Sequence, residues 1–132
     1  MPMENTLPKE ERISGKTGIT DLVSKGRWGN VPGLRFCWRA NSGKTVNRLM
    51  VSVPKKFFKR AVKRNLLKRR LKESYRLQKS ILPQAQIDLM VVYSTKEIMD
   101  SAVLFEQIGA ILLKISQTIQ DQAEKNPQQD GQ

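Results

Sequence analysis

The sequence predicts an α+β fold: a two-layer α-β-β-α-β-α sandwich on a small mixed sheet. Two observations predict it. Short runs of strand character recur at Gly33–Ala40 (GLRFCWRA), Arg48–Val53 (RLMVSV) and Ile87–Tyr93 (IDLMVVY). Between and after them lie two long segments with helical spacing, Phe57–Gln78 and Ser101–Gln122. With 132 residues, the chain suits one domain with a single modest core.

Each element has its own justification. Residues 1–12 are polar, carry two prolines and read as a flexible lead-in. Ile19, Leu22 and Val23 share a helical face, and Gly26 is placed to end that short helix. In the first strand Leu34, Phe36 and Trp38 alternate onto one face. Asn41-Ser42-Gly43-Lys44 is a turn signal, so this strand and Arg48–Val53 are expected to pair as a hairpin. Phe57–Gln78 contains neither Gly nor Pro and reads as one helix; Pro83 interrupts the chain afterwards. Ile87–Tyr93 is compact and apolar, as a buried strand should be. In the last helix Leu104, Ile108, Ile111, Leu112, Ile115 and Ile119 form a stripe. Residues 123–132 are polar and read as a disordered tail, leaving 13–122 as the domain.

The chain carries a net charge of +12 and a pI near 10.2. Such an excess attracts a polyanion. Its position says more than its size. From Lys44 to Arg76 there are thirteen basic residues and one acid, Glu73; the rest of the chain holds eleven of each. The surplus therefore belongs to one quarter of the sequence. Cys37 is alone, which excludes an internal disulfide and points to a reducing compartment. The chain has no histidine, and its acids are scattered, so no candidate catalytic or metal-ligating constellation emerges. No apolar run approaches the roughly 20 residues that span a bilayer, and no signal-peptide core is visible, so the expected location is cytoplasmic.

Within the basic helix Arg64, Lys68, Lys72 and Arg76 recur every four residues, with Asn65 and Arg69 in the neighbouring row. Leu67 and Leu71 lie on the other side and can pack on a sheet. Like charges four apart destabilise a helix by roughly 0.2–0.5 kcal/mol per pair, so three such pairs cost about 1 kcal/mol. A polyphosphate ligand reverses the sign of that repulsion and releases counterions. The bland alternatives are a solvated basic face and a membrane-surface helix; the second needs apolar anchors that Leu67 and Leu71 are required to supply to the core.

The stretch RLMVSVPKKFFKRAVKRNLLKRRLKESYR resembles the bacterial ribonuclease P protein subunit. The resemblance rests on Ser52, Val53, Lys55 and Lys56 at the end of a strand, then Ala61, Arg64, Asn65, Lys68, Arg69 and Glu73 along a helix. Leu66 stands where the family pattern has an arginine, and Lys72 replaces a later one. The first change removes one expected RNA contact. The second keeps charge but loses the bidentate fork.

The resemblance implies a ribonuclease P protein-like fold, with a left-handed β-α-β crossover. It also implies a protein subunit of a ribonucleoprotein endonuclease that removes the 5′ leader of precursor tRNA. The catalytic RNA subunit and its Mg²⁺ perform the chemistry, and the protein alone binds no cofactor. Lys55, Lys56, Arg60, Arg64, Asn65, Lys68, Arg69, Lys72 and Arg76 are then expected to bind the catalytic RNA. The single-stranded leader is expected in a cleft between the first helix and the sheet.

Single-stranded RNA is gripped by stacking platforms beside positive charge. The first helix offers Ile19 and Val23, which cannot stack. Phe36 and Trp38 either form the platform, with Ser52 and Lys56 beside them, or belong to the core. Trp28 is either a loop aromatic near RNA or packed under the loop. Two other functions fit the same composition: a small basic structural RNA-binding protein, such as a ribosomal protein or assembly factor, and a stand-alone nuclease.

Overall fold

The computed structural model describes residues 11–13, 16–43 and 46–125. In chain order the elements are α1 (Lys16–Lys25), β1 (Arg27–Val31), β2 (Leu34–Arg39), β3 (Arg48–Ser52), α2 (Ala61–Gln78), β4 (Asp88–Tyr93) and α3 (Ser101–Lys125); a 3₁₀ turn, Lys79–Ile81, follows α2. The α+β class with a mixed sheet is the one the sequence predicts. The sheet has four strands rather than three, in the order β1-β2-β4-β3.

The additional strand, β1, pairs antiparallel with β2 from Arg27 opposite Trp38 to Val31 opposite Leu34. Pro32-Gly33 closes that hairpin, with Gly33 at φ +81°. Proline then glycine, the glycine at positive φ, is the type II turn pattern. The strand escapes a periodicity search because Gly29 and Asn30 are poor strand formers. Gly29 is required there for space: a Cβ would stand 2.5 Å from Cζ of Phe36.

The hairpin expected between Gly33–Ala40 and Arg48–Val53 does not form. β4 lies between the two strands, antiparallel to β2 (Cys37 opposite Met90) and parallel to β3 (Met50 opposite Met90). The reason lies in β4 itself. Leu89, Val91 and Tyr93 are fully buried and Met90 nearly so, and a strand apolar on both faces belongs at the centre of a sheet, where layers cover both of its faces. The turn after β2 therefore joins the approach to β4: the Asn41 and Ser42 amides donate to the Ala85 and Gln86 carbonyls at 3.0 Å each. Buried Asn47 ties the same crossing, with its amide on the Pro83 carbonyl and its oxygen accepting from the Ile87 amide, both at 2.9 Å.

α2 begins at Ala61, four residues later than its spacing predicts. Arg60 is extended (φ −84°, ψ 130°), which lets Phe58 turn inward to an edge-on contact with Tyr93 at 5.6 Å. α2 and α3 pack side by side on one face of the sheet, enclosing Leu34, Phe36, Trp38, Leu49, Val51, Leu89 and Val91. α1 covers part of the other face, where Leu22 meets Cys37 and Met90.

At the N-terminal end, residues 1–10 of the expected lead-in lie outside the described residues. Arg12 and Ile13 run beside β3, with the Ile13 amide donating to the Leu49 carbonyl at 3.0 Å. α3 continues to Lys125, and residues 126–132 of the expected tail lie outside the described residues. By length and composition α3 does reach what a membrane crossing needs, contrary to the sequence expectation. Its apolar stripe, however, is committed to the core: Leu104, Ile108, Ile111, Leu112 and Ile115 are fully buried.

Candidate nucleic-acid interface

α2 divides into two sides. Leu67, Leu71, Ser74 and Tyr75 are buried inward. Burial, with a smaller push from nearby Glu11, holds the Tyr75 phenol neutral well above its ordinary range. Outward, Asn65, Arg69 and Lys72 are exposed, and Arg64, Lys68 and Arg76 are half-buried. Arg60 and the preceding Lys55 and Lys56 are exposed, with the Lys56 ammonium 5.1 Å from the Phe57 ring centre.

The internal partners of these cations decide how much charge faces outward. Arg64 donates from its Nη1 to the Phe58 and Lys59 carbonyls at 2.9 and 2.8 Å, which anchors one arm of the guanidinium at the helix entry and leaves its charge uncancelled by any carboxylate of the described residues. Arg76 meets Glu73 through two bonds of 3.0 and 2.7 Å. That hydrogen bonding holds the Glu73 carboxyl below its ordinary range. Lys68, Arg69 and Lys72 meet no carboxylate of the described residues. Two cations of the basic quarter are directed inward instead. Arg48 holds Asp88 through bonds of 2.9 and 2.7 Å, and Arg70 donates to the Met99 carbonyl at 2.9 Å. Leu66 lines a recess between α2 and α3 with Leu77 and Phe105, and Arg69 borders the same recess.

The residues expected at the leader cleft separate onto two faces. Ile19 is half-buried against Cys37 and Met90, Val23 on the same helix is 41% exposed, and Ser52 pairs across from Val92 on that face. Phe36 and Trp38 are on the opposite face, 4% and 6% exposed, in the core beneath α3. Of the two readings of that pair, the core reading holds, and neither ring stands beside Ser52. Strand alternation causes the separation, since successive side chains leave a strand on opposite faces.

The same alternation places Trp28, weighed as a loop aromatic near RNA or a packing residue, on a strand, and brings Arg35 beside it. Trp28 is paired with Cys37, so it leaves β1 on the α1 face, and it is 44% exposed. The Arg35 guanidinium lies over its ring, 4.9 Å from the centre. An exposed aromatic with a cation on it is the stacking element that α1 lacks. The signal for it was Val31-Pro32-Gly33-Leu34, which marks a turn and hence a strand on both sides. Among the described residues no group of three or more Cys, Asp or Glu side chains converges.

The family model described as Ribonuclease P matches residues 7–116 of the chain. The ribonuclease P protein component of Porphyromonas gingivalis is 34% identical over 130 residues, covering 91% of this chain and 93% of that one. That of Borrelia turicatae is 37% identical over 82 residues, covering 61% of this chain and 70% of its own length. Among solved structures, the RNase P protein of Thermotoga maritima superposes with a TM-score of 0.69 at 26% identity, covering 79% of this chain and 96% of that one. The RNase P protein of Staphylococcus aureus gives 0.68 at 25% identity, covering 80% and 94%.

Proposed function

The chain belongs to the ribonuclease P protein family, and from that premise we propose that it serves, in the cytoplasm, as the RNA-binding subunit of a ribonucleoprotein that cuts the 5′ leader from precursor tRNA. The observation that carries this reading is the outward row on α2. Lys68, Arg69 and Lys72 have no carboxylate partner among the described residues, so their charge is available to phosphates. Arg64, Asn65, Arg69 and Lys72 engage the catalytic RNA, with Lys55, Lys56, Arg60, Lys68 and Arg76 flanking them. Arg64 is held at its Nη1 by two backbone carbonyls and so presents its Nη2 and Nε donors in a fixed direction.

The leader lies on the α1 face, along Ile19, Val23, Trp28, Arg35 and Ser52. Trp28 stacks a base and Arg35 balances a phosphate. The chain's part is to bind, position and neutralise. Mg²⁺, an oxygen-ligated ion, is held by the RNA phosphates, and bond cleavage belongs to the RNA.

Reconstitution tests this reading. Added to a catalytic precursor-tRNA-cleaving RNA at low Mg²⁺, the protein should restore cleavage. The double variant Arg64→Ala/Arg69→Ala should bind that RNA more weakly and flatten its salt dependence by about one to two units of log–log slope. Binding without rescue would assign the chain to structural RNA-binding proteins. Cleavage by the protein freed of RNA would make it a nuclease in its own right.

A further inference from the structure

We propose that a second single-strand site lies on the α3 side of the sheet, where it receives the distal part of the leader after the strand has passed over the β1 edge. The inference rests on the leader path above and extends it. The site is an open groove of about 420 Å³ lined by Arg27, Trp28, Phe36, Trp38, Lys114 and Gln117. The chemistry is that of a ribonucleotide cradle: the exposed Trp28 ring for a base, two cations for phosphate, a carboxamide and the Thr118 hydroxyl for base edges or ribose, over a closed floor of buried Phe36 and Trp38. No carboxylate lines it. The Arg27 guanidinium sits over the buried Trp38 at 5.8 Å from the ring centre, a cation already placed on the groove floor.

Continuity selects the occupant. Trp28 lies on β1, the edge strand, and belongs to both surfaces: Arg35 covers it from the α1 face, and it also borders the groove. A single strand stacked on Trp28 therefore has only the sheet edge to cross before it meets Arg27 and Lys114. Base-paired RNA cannot follow that turn, so the site selects an unpaired segment.

The two tryptophans make the test direct, since Trp28→Phe leaves Trp38 as the sole indole reporter. Three ligands are compared on that variant: precursor tRNA with a long leader, the same RNA with its leader trimmed to a few nucleotides, and mature tRNA. The long leader should quench Trp38 emission; the other two should not. Lys114→Glu, an exposed change on α3, should abolish the quench. In otherwise native protein it should also weaken the long-leader substrate about five- to tenfold relative to the trimmed one. Affinity of both proteins for the catalytic RNA should be unchanged, because that contact is assigned to α2. Trp38 emission indifferent to the long leader, or equal losses for long and trimmed leaders, overturns the second site while leaving the α2 assignment intact. Failure of the α2 variants with the Trp38 response preserved would do the reverse.

Discussion

A cation's role is set by what stands within hydrogen-bonding reach of it, and the arginines of the basic quarter have three different fates. Arg48 forms an ion pair with Asp88, whose side chain is 1% exposed. Arg64 is steered by carbonyls, and Arg69 faces outward without an acidic partner. Spacing alone cannot tell these apart. The Arg48–Asp88 pair joins the starts of parallel neighbours β3 and β4. Removing one member of a buried pair leaves the other charge uncompensated. Arg48→Ala should therefore lower unfolding free energy by about 3 kcal/mol in urea titration, while Arg48→Met with Asp88→Leu should cost much less. Equal losses from the single and double variants would mean that packing, not charge, accounts for the effect.

Among the elements, β1 and α2 show how neighbours override local propensity. β1 exists because Gly29 leaves room for the Phe36 ring and Pro32-Gly33 turns the chain tightly enough to pair it. A methyl group at position 29 would have to displace that ring. Gly29→Ala should cost about 1–3 kcal/mol by overpacking, although alanine is the better-ordered residue in the unfolded comparison. Thermal unfolding checks it, and a stabilised variant would show that the ring has space to retreat. α2 loses its first predicted turn because Phe58 is worth more in contact with Tyr93 than in a helix; the late start leaves Arg60 at the entry with no side-chain cap.

Taken over the whole molecule, the charge is polarised: the +12 surplus arises within one quarter of the chain, and much of it stands on the outer side of a single helix. Glu73 is the one acid in that quarter, and it offsets Arg76. Its depressed carboxyl pKa fixes the sign of the pH dependence. The pair contributes to stability above the ordinary glutamate range, and that contribution is lost as pH falls through the lower folded-state value. Glu73→Gln adds one net positive charge to the stripe. It should tighten catalytic-RNA binding at low salt and steepen the salt slope by up to about 0.9. The advantage over the native protein should shrink on acidification, as the native carboxyl protonates. A constant advantage would place its origin elsewhere than in charge.

The sequence by itself determined the α+β class, the three helices, three of the strands and the one-signed row on α2. All of these are read from short-range periodicity, which the residues of an element carry among themselves. Tertiary structure alone decided that β4 separates β2 from β3, that Gly29 and Asn30 belong to a strand, and that Phe36 and Trp38 face α3 while Trp28 and Arg35 face α1. Those outcomes depend on which partner covers each face of each strand. Burial is a property of the assembled pair, so no one segment can encode it.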